Sequence, residues 1–578
     1  MTPKSEGAGI VTARLRTASD RLRRALQRRN LDGRFPEPVV GLLTERWRLE
    51  LKAAAQRVTA ALLPPHGGVR AWGAPTVAAG GEWRRWVSTA AIEQPRSEQA
   101  HRFAASLLPR LEEAGLRPFL VDADGGRLHF GLAVADRDAA LRALAGLDPA
   151  EAWYVRWRRG GRRRVGLLNR RSSRRHARRA ESWVVFRCLA IGPDEVAGIE
   201  EGVEISFWTP AGDRMERLGY RGLNRFELST GTTTETVAGR DYPGLAAFPV
   251  GRSLLRFREP VDVVYTWVDS ADPAWRADFD RWRDAAGAPR RAADAVDPFR
   301  FVSFDELRYS LRSLWLNAGW VRHVYVVTAD QVPDWLVPDD RLTVVSHRDI
   351  FPADWLPTFN SHAIEARLHH IEGLAEHFVY FNDDMLLGRP VTPEAFFTAN
   401  GLSRFFESEA RIPVPADEGG ALAADAGART GRRLIESEFG SVVGRKLHHA
   451  PYPLRRSVLF EIEERFPEVM EATARHRFRS ADDLSVASAF AHHYAFSTGR
   501  AVPGELHIGY QNLGSRRLDT FLRRVALGRD LDVVCVNATE RWETDPAAAA
   551  ARLGAFLGGY YPVASPWEVE DPETATTR

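Results

Sequence analysis

The chain has 578 residues, of which 44% are hydrophobic and 27% charged, and its formal net charge is +3. That length exceeds one ordinary core and implies two or three domains, with the composition of a folded soluble protein. Cys188 and Cys535 are the only cysteines, which excludes a disulfide framework and a tetrathiolate zinc site and leaves two buried thiols as the expected state. No segment approaches the roughly 18 apolar residues of a membrane span, and residues 1–10 lack the charged-then-apolar order of a secretion signal, so a cytoplasmic protein is expected.

In chain order, residues 12–31 set Leu15, Leu22 and Leu26 at helical spacing among arginines, and a second helix is expected over residues 42–63. After a Gly- and Pro-rich break at 67–81, a helix ending near Gly115 leads to PFLVDADGGRLHFGLAV, two strands around an Asp-Gly-Gly turn, and then to the short helix DRDAALRALAGL. Arg156 to Arg179 is a dense arginine block. A solvated basic loop is its first reading and contact with an anionic membrane or another polyanion its second; no nucleic-acid motif accompanies it. ESWVVFRCLA and GVEISFWTP are strands of a bridging region. The expected divisions are an N-terminal α+β accessory region over 1–180, a strand-rich bridge over 181–255, an α/β domain over 256–545 with a mobile or variable insertion near 410–440, and a C-terminal block over 546–578.

At Val261 the texture changes. VDVVYTWV, VRHVYVVTAD, LTVVSHRDIF and HFVYFNDD read as buried strands, and FDELRYSLRSLWLNAG and SHAIEARLHHI as helices between them, with Phe304, Leu307, Leu311 and Leu314 on one helical side and Gly319 as a stop. This alternation predicts an open, mostly parallel α/β sheet with its ligand beyond the C-terminal strand ends. Asp269, Asp272, Asp330, Asp383 and Asp384 all follow such strands, so one shared acidic, metal-assisted site is expected, although polar strand ends also serve simply to turn the chain. Asp383 and Asp384 are consecutive, and both can enter one pocket only if the strand turns there. No P-loop or GxGxxG fingerprint follows these strands, which removes the warrant for a P-loop nucleotidase or a dinucleotide oxidoreductase.

Beyond the insertion, His448 and His449 precede a Pro-Tyr-Pro turn, and Arg455 and Arg456 open a helix; either histidine can exchange a proton near neutral pH. In RHRFRSADDLSV, Ser480 and Asp483 form a capping box at an expected helix start, with Arg479 just outside it and able to grip a phosphate. Such mixed acidic and basic groups suit phosphoryl transfer.

The ordered set DVVYTWVDSADPAW, FDELRYSLRSLWLNAGWVRHVYVVTADQVPDWL, FNSHAIEARLHHIEGLAEHFVYFNDDM, HHAPYPLRRSVLFEIEERFP and HRFRSADDLSVASAFAHHY resembles the Stealth family, with CVNA and FLGGYYPVASPWE resembling its short final block. That family includes bacterial capsular polysaccharide phosphotransferases and the catalytic subunit of animal N-acetylglucosamine-1-phosphotransferase. The resemblance implies a nucleotide-sugar-transferase-like α/β core, a nucleotide-sugar donor, a saccharide acceptor and Mg²⁺ or Mn²⁺. It maps the nucleotide-side acidic strand onto Asp262 and Asp269, the NDD segment onto Asn382, Asp383 and Asp384, the HxPY segment onto His449, and the RSxxDL segment onto Arg479, Asp482 and Asp483.

The expected reaction moves a hexose-1-phosphate to a carbohydrate hydroxyl in capsule or exopolysaccharide synthesis and releases a nucleoside monophosphate. Asp383 and Asp384 would hold the cation, Arg479 the phosphate and His449 the proton, with Asp383 as the alternative base. Asp262, Asp269, Asn382, Arg455, Asp482 and Asp483 would bind substrate. An ordinary glycosyltransferase, releasing a nucleoside diphosphate, is the alternative, and a non-catalytic polysaccharide-binding protein the more distant one. The protein is expected to work in the cytoplasm, with peripheral contact at the inner membrane face as an option.

Overall fold

A computed structural model describes residues 77–79, 82–84, 88 and 90–569, less 125, 193–194, 213, 221–224, 228–230, 287–297, 413–422 and 539–541. The two helices expected within residues 12–63 lie outside the described residues. No helix among the described residues is long and apolar enough to cross a membrane.

The N-terminal unit packs helix α1 (Arg96–Glu113) and helix α2 (Arg137–Leu144) on a mixed ten-stranded sheet. Strands β1 (Phe119–Asp124) and β2 (Arg127–Ala133) form the hairpin expected around the Asp-Gly-Gly turn. The arginine block is not a loop: β3 (Tyr154–Arg159) and β4 (Arg162–Leu167) form an antiparallel hairpin, followed by helix α3 (Arg171–Ala177). Alternation explains this, because Val155, Trp157, Val165 and Leu167 supply buried positions between the charges. Strands β5 (Ser182–Phe186) and β6 (Val203–Ala211) join the same sheet: β5 pairs with β3, and β6 with β5 and β2. The boundary expected between 180 and 181 therefore falls inside one sheet and one core.

The second unit is built on a five-stranded sheet. Its members are β7 (Val261–Thr266), β8 (Val324–Thr328), β9 (Leu342–Ser346), β10 (His377–Asn382) and β12 (Tyr452–Arg455), in the order β9-β8-β7-β10-β12. The four expected strands are all parallel; β12 is antiparallel, so the sheet is mixed. Val263, Val264, Val326, Val327, Phe378 and Val379 are completely buried, each side chain contributing roughly 1.5–3 kcal/mol. That is why these runs are apolar at successive rather than alternate positions.

Helix α4 (Glu306–Asn317) joins the two units. Leu307, Leu311 and Leu314 face the second core, while Leu316 packs into the first. The helix ends two residues before Gly319, with Ala318 as its C-cap, and a Cβ on Gly319 would lie 2.8 Å from Pro95 Cβ, so glycine permits the close approach of the N-terminal unit.

The segment expected to be a mobile or variable insertion contains, among its described residues, helix α5 (Ala423–Phe439), whose Ala426 and Ile435 are buried. Its Ala and Gly residues allow close packing rather than mobility, with Gly431 against Leu484 and Phe490. A smaller sheet places β11 (Met385–Leu387) antiparallel to β14 (Val533–Asn537), which runs parallel to β13 (Ile508–Asn512). The C-terminal block docks back on α4. Arg308 and Arg312 bind the buried Glu568 at 2.7 and 2.6 Å, and Trp567 enters the core.

Candidate active site

Strand β10 ends at Asn382, and a two-residue turn at Asp383 and Asp384 follows before β11 begins. That turn is what the alternation rule required: both carboxyl groups line one cavity of about 570 Å³ at the C-terminal end of the parallel strands. Residues from helices, loops and two further strand segments close the rest of it, among them Glu306, Glu365, Lys446, His449, Arg479 and Asn537. Glu365 accepts from the amide and hydroxyl of Ser488, which sits in a π-helical turn, Val486–Phe490, beside the cavity. The capping bonds expected near Asp483 are present, with Asp483 accepting from the Ser480 amide at 2.9 Å, but the helix itself begins only at this π turn.

The two oxygens of Asp384 face different surroundings. Oδ2 accepts from Asn537 Nδ2 at 2.7 Å and from the Cys535 thiol at 3.4 Å, and lies 3.4 Å from His449 Nε2. Oδ1 is buried and has no hydrogen-bond partner. A buried carboxylate oxygen left without a donor is costly unless a cation or water meets it. Asn382 and Asn537 also approach His449 Nε2, at 3.4 and 3.3 Å, and Tyr452 approaches Nδ1 at 3.4 Å.

Charge is concentrated here under little solvent. Burial, then the neighbouring Asp384 charge, pushes the Asp383 carboxyl up to about 7. Burial alone would also raise Asp384, but His449, Asn537 and Cys535 outweigh it and hold that group below the ordinary carboxylate value. Burial would lower His449, yet the Asp384 charge prevails and holds it above 6.5. Glu306 is raised well above its usual range by burial and by the two aspartates, and burial with Asp384 keeps the Cys535 thiol protonated.

Of the residues expected from sequence, Asn382, Asp383, Asp384, His449 and Arg479 meet in this cavity. The others do not line it. Asp262 is the second residue of β7, at the opposite end of the sheet, buried and held by Arg322 at 2.8 and 2.5 Å and by the Ala375 amide. Arg455 pairs in register with His377 at that same end and binds Glu376 at 2.9 Å. Asp269 turns the chain by accepting from the Ala271 amide, and Asp482 is exposed. The shared five-aspartate site is thus corrected. Asp272 caps the helix Pro273–Ala286, and Asp330 is engaged by Ser346 and Arg348. Each strand end needed a turn, and most of these aspartates supply one.

Asp483 lies beneath the cavity rather than in it. It is fully buried and accepts from Asn360 at 2.8 Å and His476 at 2.6 Å, besides Ser480. Asn360 caps the short helix whose Ser361 hydroxyl accepts from Arg479 at 2.7 Å, so Asp483 ties down both sides of the arginine's seat. Sequence reasoning assigned no role to Cys535, Asn537, Glu306, Glu365 or Lys446. Asn537 carried a usable signal, because VVCVN is an apolar strand ending in a polar residue, the same pattern as VYFND.

The fold and the cavity define a two-unit α/β protein with a partly buried acid–imidazole centre at strand ends, beside a guanidinium. Three family models locate it further: Stealth protein CR1, conserved region 1, over residues 259–286, conserved region 2 over 300–405 and conserved region 3 over 448–496. An exopolysaccharide phosphotransferase of Streptomyces coelicolor is 42% identical over 490 residues, covering 79% of this chain and 80% of that protein. Another of Nocardia farcinica is 37% identical over 465 residues, 78% of this chain and 90% of its own length. CpsY of Mycobacterium tuberculosis, an exopolysaccharide phosphotransferase, is 37% identical over 378 residues, 64% of this chain and 69% of that one. The chain belongs to the Stealth family. Among solved structures, the galactosyltransferase LgtC aligns over 55% of this chain and 99% of its own at 11% identity and a TM-score of 0.27, which carries no inference about fold.

Proposed function

We propose that this protein transfers a sugar-1-phosphate from a nucleotide sugar to a carbohydrate hydroxyl, releasing the nucleoside monophosphate, in the synthesis of a capsule or exopolysaccharide. The observation that carries this is the convergence of Asp383, Asp384, His449 and Arg479 on one cavity in a chain 42% identical to an exopolysaccharide phosphotransferase. The core around that cavity is read as nucleotide-sugar-transferase-like, and residues 90–255 as an accessory unit.

The donor set fits a hard divalent cation. Asp384 Oδ1 is buried without a partner, and Asp383 beside it is a second oxygen donor whose protonation a cation would reverse. The cluster of Asp384, His449 and Cys535 offers ligand atoms within 4.8 Å of one another, but its thiol is protonated and hydrogen-bonded, so the two carboxyl groups are the better ligands for Mg²⁺ or Mn²⁺. Such a cation, when bound, supplies charge compensation for the pyrophosphate.

The side chains divide the remaining work. Arg479 contacts the phosphate, held in place by Ser361. His449 accepts the proton of the attacking hydroxyl, and Asp384 Oδ2, 3.4 Å away, stabilises the imidazolium that forms. Asn382 and Asn537 fix the ring. Asp269 and Asp482 stay as candidates for the nucleotide side, being near the lining residues Val268 and Arg479 in sequence.

The test is product analysis with nucleotide sugars labelled in the phosphorus next to the sugar. Label in a glycan phosphodiester with release of a nucleoside monophosphate is expected. Release of nucleoside diphosphate with an unlabelled glycan would refute phosphotransfer and establish glycosyl transfer.

A further inference from the structure

The arginine hairpin plays no part in the site described above, and its chemistry is unusual for a folded surface. Residues 156–179 carry twelve arginines and no acidic residue. In the β3–β4 hairpin, Arg158 stands directly opposite Arg163, and Arg159 opposite Arg162. Like charges at cross-strand positions are destabilising, so the hairpin holds them at a cost in folding energy. Arg158 has Glu181 at 3.4 Å and Arg178 has Asp138 at 3.4 Å. Among the described residues, Arg159, Arg162, Arg163, Arg164, Arg170 and Arg171 are exposed and have no carboxylate partner.

Strand β4 is the edge of the ten-stranded sheet, and α3 packs against it closely enough that a Cβ on Gly166 would meet Ser173 Oγ at 2.3 Å. Between them lies an open cavity of about 480 Å³, lined by Trp157, Arg163, Arg164, Arg170, Ser172 and His176. His176 is exposed and stacks on Trp157 with centroids 5.9 Å apart and planes 16° from parallel. The cavity thus offers guanidinium groups for phosphate, a hydroxyl, and a flat ring suited to a pyranose face, within the volume range of ordinary ligand sites.

We infer that this face binds an anionic glycan whose charge is carried by phosphodiester groups: the polymer that sugar-1-phosphate transfer builds, held by the accessory unit while its end is extended. This rests on the phosphotransfer reading. Charge complementarity selects a polyanion, and the surface itself favours a glycan over a lipid bilayer. Among the described residues of 156–179 no large apolar side chain is exposed, and stable seating in a membrane interface needs such anchors.

The test measures binding by the full chain, with no donor present, to a phosphodiester-linked hexose polymer, an uncharged dextran, phosphatidylglycerol vesicles and duplex DNA. The wild type is expected to bind the phosphodiester polymer, more weakly as salt rises, and dextran at least tenfold less well. The variant R163Q/R164Q/R170Q should lose at least tenfold in polymer affinity, while nucleoside monophosphate release with a monosaccharide acceptor stays within twofold of wild type, showing that the chain is folded. R163K/R164K/R170K, which keeps the charge, should recover binding to within threefold. Unchanged polymer binding in the glutamine variant, or wild-type preference for vesicles, DNA or dextran, would overturn the inference. Because binding is read without donor, a failure of phosphotransfer appears separately, as absence of label in any glycan product.

Discussion

Replacing Asp483 with asparagine removes one charge from a buried cluster at almost constant volume, and the structure gives the size of the effect. Burial disfavours the Asp483 carboxylate, but bonds from His362 and His476 overcome that and bring its pKa from 3.8 to about 2. That difference is worth about 2 kcal/mol of folding stability. Because the folded pKa is depressed, this contribution is present above pH ~4 and is lost as pH falls through about 2. His476 is shifted in the other direction, raised above 6.5 chiefly by its bond to Asp483, so its share is complete below pH 6.5 and is lost as pH rises through the higher folded value. The pair is therefore strongest between about pH 4 and 6.5. Asparagine also presents an amide N–H to groups that now donate, adding roughly 1 kcal/mol. Urea unfolding should show Asp483→Asn to be about 3 kcal/mol less stable at pH 5.5, with a smaller deficit at pH 8.5. Since Asp483 fixes Asn360 and the Arg479 loop, the variant's KM for nucleotide sugar should rise more than its kcat falls. A variant within 0.5 kcal/mol of wild type, or a deficit independent of pH, would refute this account.

Other predictions concern the site and its frame. His449→Ala should lower kcat roughly 10²–10⁴-fold with circular dichroism unchanged, the range for loss of a general base. Asp384→Asn should suppress turnover similarly and weaken Mn²⁺ binding measured by electron paramagnetic resonance; unaltered Mn²⁺ affinity would remove Asp384 from the ligand set. Chelation of divalent cations should abolish phosphorus transfer, with Mg²⁺ or Mn²⁺ restoring it. Glu568→Ala leaves Arg308 and Arg312, both on α4, without their shared buried carboxylate and should cost roughly 3–5 kcal/mol in chemical denaturation. A cost below 1 kcal/mol would show that the C-terminal block does not brace α4.

Much of the fold follows from local pattern. Continuous Val-rich runs can satisfy burial on both faces as inner parallel strands, and VDVVYTWV, VRHVYVVTAD and HFVYFNDD take those places, with the more exposed LTVVSHRDIF beside them at the sheet edge. The Asn382-Asp383-Asp384 run marked the site because three polar residues after such a strand force a turn where ligands collect. Sequence could not rank the remaining aspartates, since a turn-forming carboxylate and a ligand-binding one obey the same local rule. Asp272, Asp330 and Asp384 differ only in what the folded chain brings beside them: backbone amides for the first, Ser346 and Arg348 for the second, and His449, Cys535 and Asn537 for the third. Asp262 and Arg455 were misplaced for a related reason, because strand polarity puts them at the opposite end of the sheet from Asp383, and only pairing register fixes that. The sequence alone determined the strand–helix alternation, the chemistry of the strand-end turn and the family. The tertiary structure decided which of many similar charges share one cavity, because burial and neighbours distant in sequence, not residue type, set their protonation and their partners.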